Sequence, residues 1–99
     1  MLSWLSLKRF KVNGGSMKPC LNEGDRVLAF TCRKSIQGLK ENDLAVAVDF
    51  EGRKVVKRVK AVEGNGYWLQ GDNTDESIDS RHYGLVSREQ IIGRVWKKY

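Results

Sequence analysis

Ninety-nine residues are enough for one domain with a modest core and too few for a second. Apolar residues make up 40% of the chain and charged residues 30%, a balance that excludes a low-complexity or disordered polypeptide. The formal charge is +6, but the cations are scattered rather than gathered in a block, so a solvated surface explains them before nucleic acid does.

The first nine residues form an apolar and then basic lead-in. Met1–Leu7 is apolar and runs into Lys8 and Arg9, the reverse of the charge-first order of a signal peptide. This lead-in is expected to pack on the core or to touch a membrane surface through Leu2, Trp4, Leu5, Leu7, Lys8 and Arg9. No stretch approaches the ~20 apolar residues of a membrane-spanning helix. Residues 1–99 are expected to form a single domain of a cytoplasmic protein, with peripheral membrane contact as the alternative location.

Next comes Asn13-Gly14-Gly15-Ser16-Met17-Lys18-Pro19-Cys20-Leu21. Gly14 and Gly15 allow positive φ and close approach of another backbone, and Pro19 stiffens the segment after the serine. The result is a serine on a tight, accessible loop. Strand-like runs then recur: Arg26–Phe30, Asp43–Phe50, Lys54–Val62, Tyr67–Gln70 and Ile91–Trp96. Turns marked by Gly, Asn and Asp separate them, which predicts an all-β sheet or barrel. A short helical turn is expected at Ser87–Gln90, with Ser87 as its cap.

The run around Lys57 is the most informative. Alternation places Val55, Lys57, Val59 and Ala61 on one face and Val56, Arg58, Lys60 and Val62 on the other. Lys57 is then a lone cation among small apolar residues. Burial disfavours an ammonium, and a neutral amine is what a general base needs. An edge lysine that reaches back to water is the bland alternative.

Two cysteines, Cys20 and Cys32, and the single His82 fall short of a four-ligand zinc site. No metal, cofactor or disulfide is expected. Cys20 reads as a small packing residue. His82 reads as a turn or surface residue rather than the base of a Ser–His–Asp arrangement. Trp68 and Trp96 read as strand aromatics of the core before they read as walls of a cleft.

Three segments together carry a family resemblance. Gly14-Gly-Ser-Met-Lys-Pro-Cys-Leu21 with Gly24-Asp-Arg-Val27, then Lys57-Arg-Val59, then Gly71-Asp-Asn-Thr-Asp-Glu-Ser-Ile-Asp-Ser-Arg81 resemble, in order, the boxes of the signal peptidase I superfamily. Tyr83-Gly84 and Ile92-Gly-Arg-Val95 come after them, and the likeness runs from about Phe10 to Trp96. The resemblance implies a compact signal-peptidase-like β core. It also implies a serine endopeptidase with Ser16 as nucleophile and Lys57 as general base. Ser77 would orient the lysine, Asp79 and Arg81 would brace the third box, and Gly14, Gly15, Met17 and Pro19 would shape the substrate loop. The Ser16 N–H is the implied oxyanion donor. The partner it implies is a protein substrate bearing an N-terminal leader or propeptide.

The short interval between Lys57 and Gly71 leaves no room for an inserted second domain. In this the chain resembles the small maturation proteases of nickel-type superoxide dismutase, and the stretch 79–96 is especially similar to them. Two further readings stand beside it: a signal peptidase working at a membrane, and a non-catalytic basic β-module that binds nucleic acid. The last leaves the three boxes unexplained.

Overall fold

The structure is a computed structural model and describes residues 6–99. Leu2, Trp4 and Leu5 of the expected lead-in lie outside the described residues. Leu7, Lys8 and Arg9 of that lead-in belong to a strand. It spans Leu7–Lys11 (β1) and pairs with Arg26–Phe30 (β2).

Five more strands complete the sheet: Leu44–Val48 (β3), Lys54–Glu63 (β4), Gly66–Gln70 (β5), Val86–Ser87 (β6) and Ile91–Lys98 (β7). Their spatial order is β1-β2-β7-β3-β4-β5-β6, and every neighbouring pair is antiparallel. The expected strands are therefore present, and the all-β reading holds. Two very short helices, Arg33–Gln37 (α1) and Ser80–Tyr83 (α2), sit in connections. Neither was legible in the sequence: α1 buries only Ile36 and α2 only Ser80, so no helical periodicity shows. Residues 88–90 form a 3-10 turn closed by a reciprocal cap between Ser87 and Gln90, as the Ser-x-x-Gln spacing predicts. Among the described residues no helix is long and apolar enough to cross a membrane.

Both faces of the sheet's middle are covered, which explains why β3 reads as the continuous apolar run Ala45-Val46-Ala47. Ala45 and Ala47 join Val59, Tyr67, Leu69, Val86 and Ile91 in one core, closed by Ile36 and Leu39. Val46 joins Val12, Met17, Leu21, Val27, Ala29 and Val56 in the other. Each of the larger buried side chains contributes about 1.5–3 kcal/mol of transfer free energy. The second core holds the loop after β1 in place; the first holds β4 and β5.

The alternation expected along β4 holds only as far as Val59. Val59 pairs with Leu69, but Ala61 pairs with Trp68, so Lys60 is an extra residue and the ladder carries a bulge. The side-chain parity flips there. Ala61 shares the face of Trp68, opposite Val59 and Lys57, contrary to the sequence expectation.

Candidate functional site

The loop between β1 and β2 is tied at its neck and plugged from below. Val12 N–H donates to Asp25 O over 2.8 Å, and Gly24 N–H donates to Val12 O over 2.8 Å. Met17 is 0% exposed and sits in the second core beside Leu21. Gly14 has φ +80°, a left-handed turn that suits glycine. Pro19 comes after a cis peptide bond and is exposed. Of the residues expected to shape the substrate loop, Gly14 and Gly15 line an open cleft with Ser16, whereas Met17 anchors the loop to the core. Ser16 is half-buried and carried on the rim of that cleft.

Lys57 enters the same cleft from β4, where it pairs across the sheet with Ala45. It is only 4% exposed. Burial pushes its pKa below the ordinary lysine value, against the pull of the Asp79 carboxylate and with the help of Arg81. Its amine donates to Ser77 Oγ over 3.0 Å. Ser16 makes no hydrogen bond to Lys57 in this structure; what the two share is the cleft wall.

Behind Lys57 stands a polar network whose centre, Ser77 and Asp79, is buried and whose outer member, Arg81, reaches the surface. Ser77 Oγ donates to Asp79 Oδ2 over 2.6 Å and accepts the Gly71 N–H over 3.1 Å. Asp79 Oδ2 also accepts the Gly71 N–H over 2.8 Å. Arg81 grips the Asp79 carboxylate with both arms, Nε to Oδ1 and Nη2 to Oδ2, each at 2.9 Å. Burial opposes ionisation of Asp79, yet the bonds from Arg81, Ser77 and Gly71 outweigh it and hold the carboxyl well below the usual carboxylate range.

A second set of bonds joins this network to the serine loop. Asn73 N–H donates to Ser16 O over 2.8 Å, and Asn73 Nδ2 donates to Gly15 O over 3.1 Å. A Cβ at Gly71 would meet Ser16 O at 2.6 Å and would collide with the Ser77 hydroxyl. Only glycine fits where the 71–77 turn presses on the serine loop. Asp72 is held by a two-pronged pair with Arg58, at 2.8 and 2.9 Å. That pair was not foreseen; its one signal is Arg58 on the strand face opposite Lys57.

The remaining candidates fall outside the cleft. His82 caps α2: its Nδ1 accepts the Asp79 N–H over 3.3 Å, and its side chain is 54% exposed. Cys20 is exposed and accepts from Arg58 Nη2 at 3.4 Å, so it is not the packing residue expected. Trp68 is half-buried on β5. Trp96 is largely exposed, its ring 5.6 Å from that of Phe30, because it occupies the bulge where β7 slips against β2. The cleft's apolar walls are instead Phe10, Val46, Phe50, Val55, Ile78 and Tyr83. These were invisible as a group because they come from separate strands and turns. Among the described residues no group of three or more His, Cys, Asp or Glu gathers as a metal site.

Residues 6–96 match the family described as Peptidase S24-like. The chain is 30% identical over 108 aligned residues to mitochondrial inner membrane protease subunit 1 of Mus musculus and of Homo sapiens, covering 87% of this chain and 65% of each relative. It is 35% identical over 63 residues to signal peptidase I of Helicobacter pylori, covering 64% of this chain and 21% of the relative. The chain thus spans somewhat under two thirds of its mitochondrial relatives and about a fifth of the bacterial one. With a family match over nearly all of its described length, the chain belongs to the Peptidase S24-like family of serine-type peptidases, in the superfamily of signal peptidase I.

Proposed function

We propose that the chain is a serine endopeptidase that removes an N-terminal segment from a protein substrate, with Ser16 as nucleophile and Lys57 as base. The observation that carries this reading is a buried lysine of lowered pKa sharing one cleft with a loop serine. In the acylation step the Ser16 Oγ–H proton passes to the neutral Lys57 amine as Oγ bonds to the scissile carbonyl carbon. The C–N bond then breaks, and Lys57 returns the proton to the leaving amine. Water, deprotonated by the same amine, hydrolyses the acyl-enzyme. Ser16 Oγ and Lys57 Nζ come into hydrogen-bond contact on substrate binding, as apo catalytic pairs commonly do.

The rest of the machinery has a positioning task. Ser77 takes one amine hydrogen of Lys57, which turns the nitrogen lone pair away from the core and toward the cleft. Asp79 and Arg81 fix Ser77. Among the described residues nothing accepts the Ser16 N–H, which leaves it to donate to the developing oxyanion.

The finer substrate assignment is maturation of nickel-type superoxide dismutase, supported by the resemblance of residues 79–96. Processing at a membrane is the second reading, favoured by relatives named as subunits of an inner membrane protease. Protein N-termini compared between cells carrying the wild-type chain and cells carrying Ser16→Ala separate them. One soluble protein retaining a propeptide is the result expected of a dedicated maturation enzyme. Many exported proteins retaining leaders would establish the membrane reading, and an unchanged set of N-termini would overturn the peptidase assignment.

A further inference from the structure

The cleft has a charged end that the proposed chemistry does not use. Among the described residues β1 is an edge strand, paired only with β2, so its other side offers backbone donors and acceptors to an extended chain. Arg9 and Lys11 of this strand line the cleft together with Lys54 of β4. In the β1–β2 register Lys11 lies directly opposite Arg26, and Arg9 and Lys11 share the face that Arg26 occupies. Like charges directly opposite one another across a ladder are destabilising. Among the described residues no carboxylate pairs with Arg9, Lys11, Arg26 or Lys54.

The cleft's acids are engaged elsewhere. Asp49 and Glu51 both bind Arg53, at 3.0 and 3.3 Å, and Glu76 lies against Gly15 at the serine end. The β1 end of the cleft is therefore an uncompensated cationic rim, while the serine end is not.

We infer that the Arg9–Lys11–Arg26 rim, with Lys54 beside it, selects polypeptide substrates carrying an acidic residue or short acidic stretch several positions from the scissile bond. This rests on the peptidase reading of the cleft and adds the class of substrate it prefers. A polypeptide fits better than an anionic lipid surface because Arg9, Lys11 and Lys54 line the cleft that holds Ser16 and Lys57, beside a strand edge that no other described strand covers. An extended chain rises about 3.3 Å per residue, so a bound segment that reaches the rim from Ser16 carries its acidic position a few residues away from the cut.

The test uses the Ser16→Ala protein and two fluorescent peptides of equal length, one with Glu at alternate positions and one with Gln in their place. Anisotropy should show tighter binding of the Glu peptide by about tenfold at low salt, shrinking as ionic strength rises. The double variant Arg9→Gln, Lys11→Gln should lose that preference while binding the Gln peptide as before. Equal binding of the two peptides, or a preference untouched by the double variant, overturns the inference. Binding only to phosphatidylglycerol vesicles, with neither peptide held, also overturns it in favour of a lipid surface. Cleavage is then read separately with the Ser16 protein on a proteome-derived peptide library. Enrichment of Asp and Glu at one subsite, lost in the double variant, supports the inference. Salt-sensitive acidic binding with no cleavage of any peptide would sink the peptidase reading alone and leave the acidic rim standing.

Discussion

Lys57 Nζ lies 3.0 Å from Ser77 Oγ, and Ser77 spends its own proton on Asp79. The hydroxyl is thereby locked as an acceptor toward Lys57, so the amine has one fixed direction in which to donate. Ser77→Ala removes that constraint without removing core volume of consequence. The expected outcome is a folded protein whose kcat/KM falls by about 10²-fold, the scale set by misplacing a reacting group by an ångström. The ascending, acid-side limb of its pH profile should also move to lower pH, because an acceptor that favours the charged amine is gone. A collapse of the thermal transition, with the pH profile of residual activity unmoved, would make Ser77 a purely structural residue.

A buried lysine is a stability cost as well as the proposed base. Its folded pKa lies below the ordinary 10.5, so between those two values the unfolded chain binds more protons than the folded one. Stability contributed by this site is therefore lowest below the folded pKa and rises with pH through that window. Activity should rise through the same lowered pKa, since only the neutral amine accepts the Ser16 proton. Lys57→Met keeps the length and drops the charge. It should abolish peptide cleavage and raise Tm at neutral pH, with the gain disappearing as pH approaches the ordinary lysine range. Calorimetry across pH reads the stability, and an unchanged or lower Tm at neutral pH would mean that the amine is better solvated than its 4% exposure indicates.

Much of this arrangement was legible in the sequence because it arises from short-range patterns. Val-rich alternation marked β4 as a strand, and the apolar run within Asp43–Phe50 marked β3 as another. What alternation missed is the bulge at Lys60, since an extra residue in a ladder is set by the partner strand and leaves no local mark. β1 was hidden for a related reason: Lys8, Arg9 and Lys11 break the apolar alternation, so an edge strand reads as an apolar and basic lead-in. The residues of the three boxes, with Ser77 orienting Lys57 and Asp79 paired to Arg81, came from resemblance, but the contacts between the first box and the third were not readable. Asn73 reaching Gly15, and Gly71 pressing on Ser16, depend on a chain crossing that only the folded sheet creates.

That crossing makes Gly71 a sharp probe. Its missing Cβ leaves room for Ser16 O at 2.6 Å and for the Ser77 side chain. Gly71→Ala has to push the serine loop and the lysine-holding turn apart. Overpacking of this kind costs about 1–3 kcal/mol of stability, but the displacement falls on both proposed reacting groups. The expected signature is a loss of kcat far larger than the drop in Tm accounts for, measured at a temperature where the variant is fully folded. Loss of activity only in proportion to the unfolded fraction would show that the loop has slack.

His82 offers the complementary control. It caps α2 through the Asp79 N–H and stands outside the cleft. His82→Ala should retain near wild-type kcat/KM and lose at most about 1 kcal/mol from the weakened cap. Complete inactivation of a folded His82→Ala protein would revive a histidine as the base and displace Lys57.

Asp79 tests whether the network is held together by charge or by shape. Its side chain is 0% exposed and accepts from Gly71, Ser77 and both arms of Arg81. Its folded pKa is depressed, so it contributes stability in full above the ordinary carboxylate range, and that contribution fades as pH falls through that range toward the folded value. The wild-type protein should accordingly lose stability steeply on acidification below about pH 4. Asp79→Asn preserves the shape but leaves the Arg81 guanidinium without its counter-charge and offers an amide N–H where an oxygen accepted. Breaking one side of a buried pair costs about 3–5 kcal/mol, reduced here because Arg81 is partly exposed and can turn to water. The acid limb of the stability curve should flatten in the variant, since the group that titrated is gone. If the Asn variant kept both the wild-type Tm and the wild-type acid limb, the carboxylate would be dispensable and another acid would have to carry the linkage.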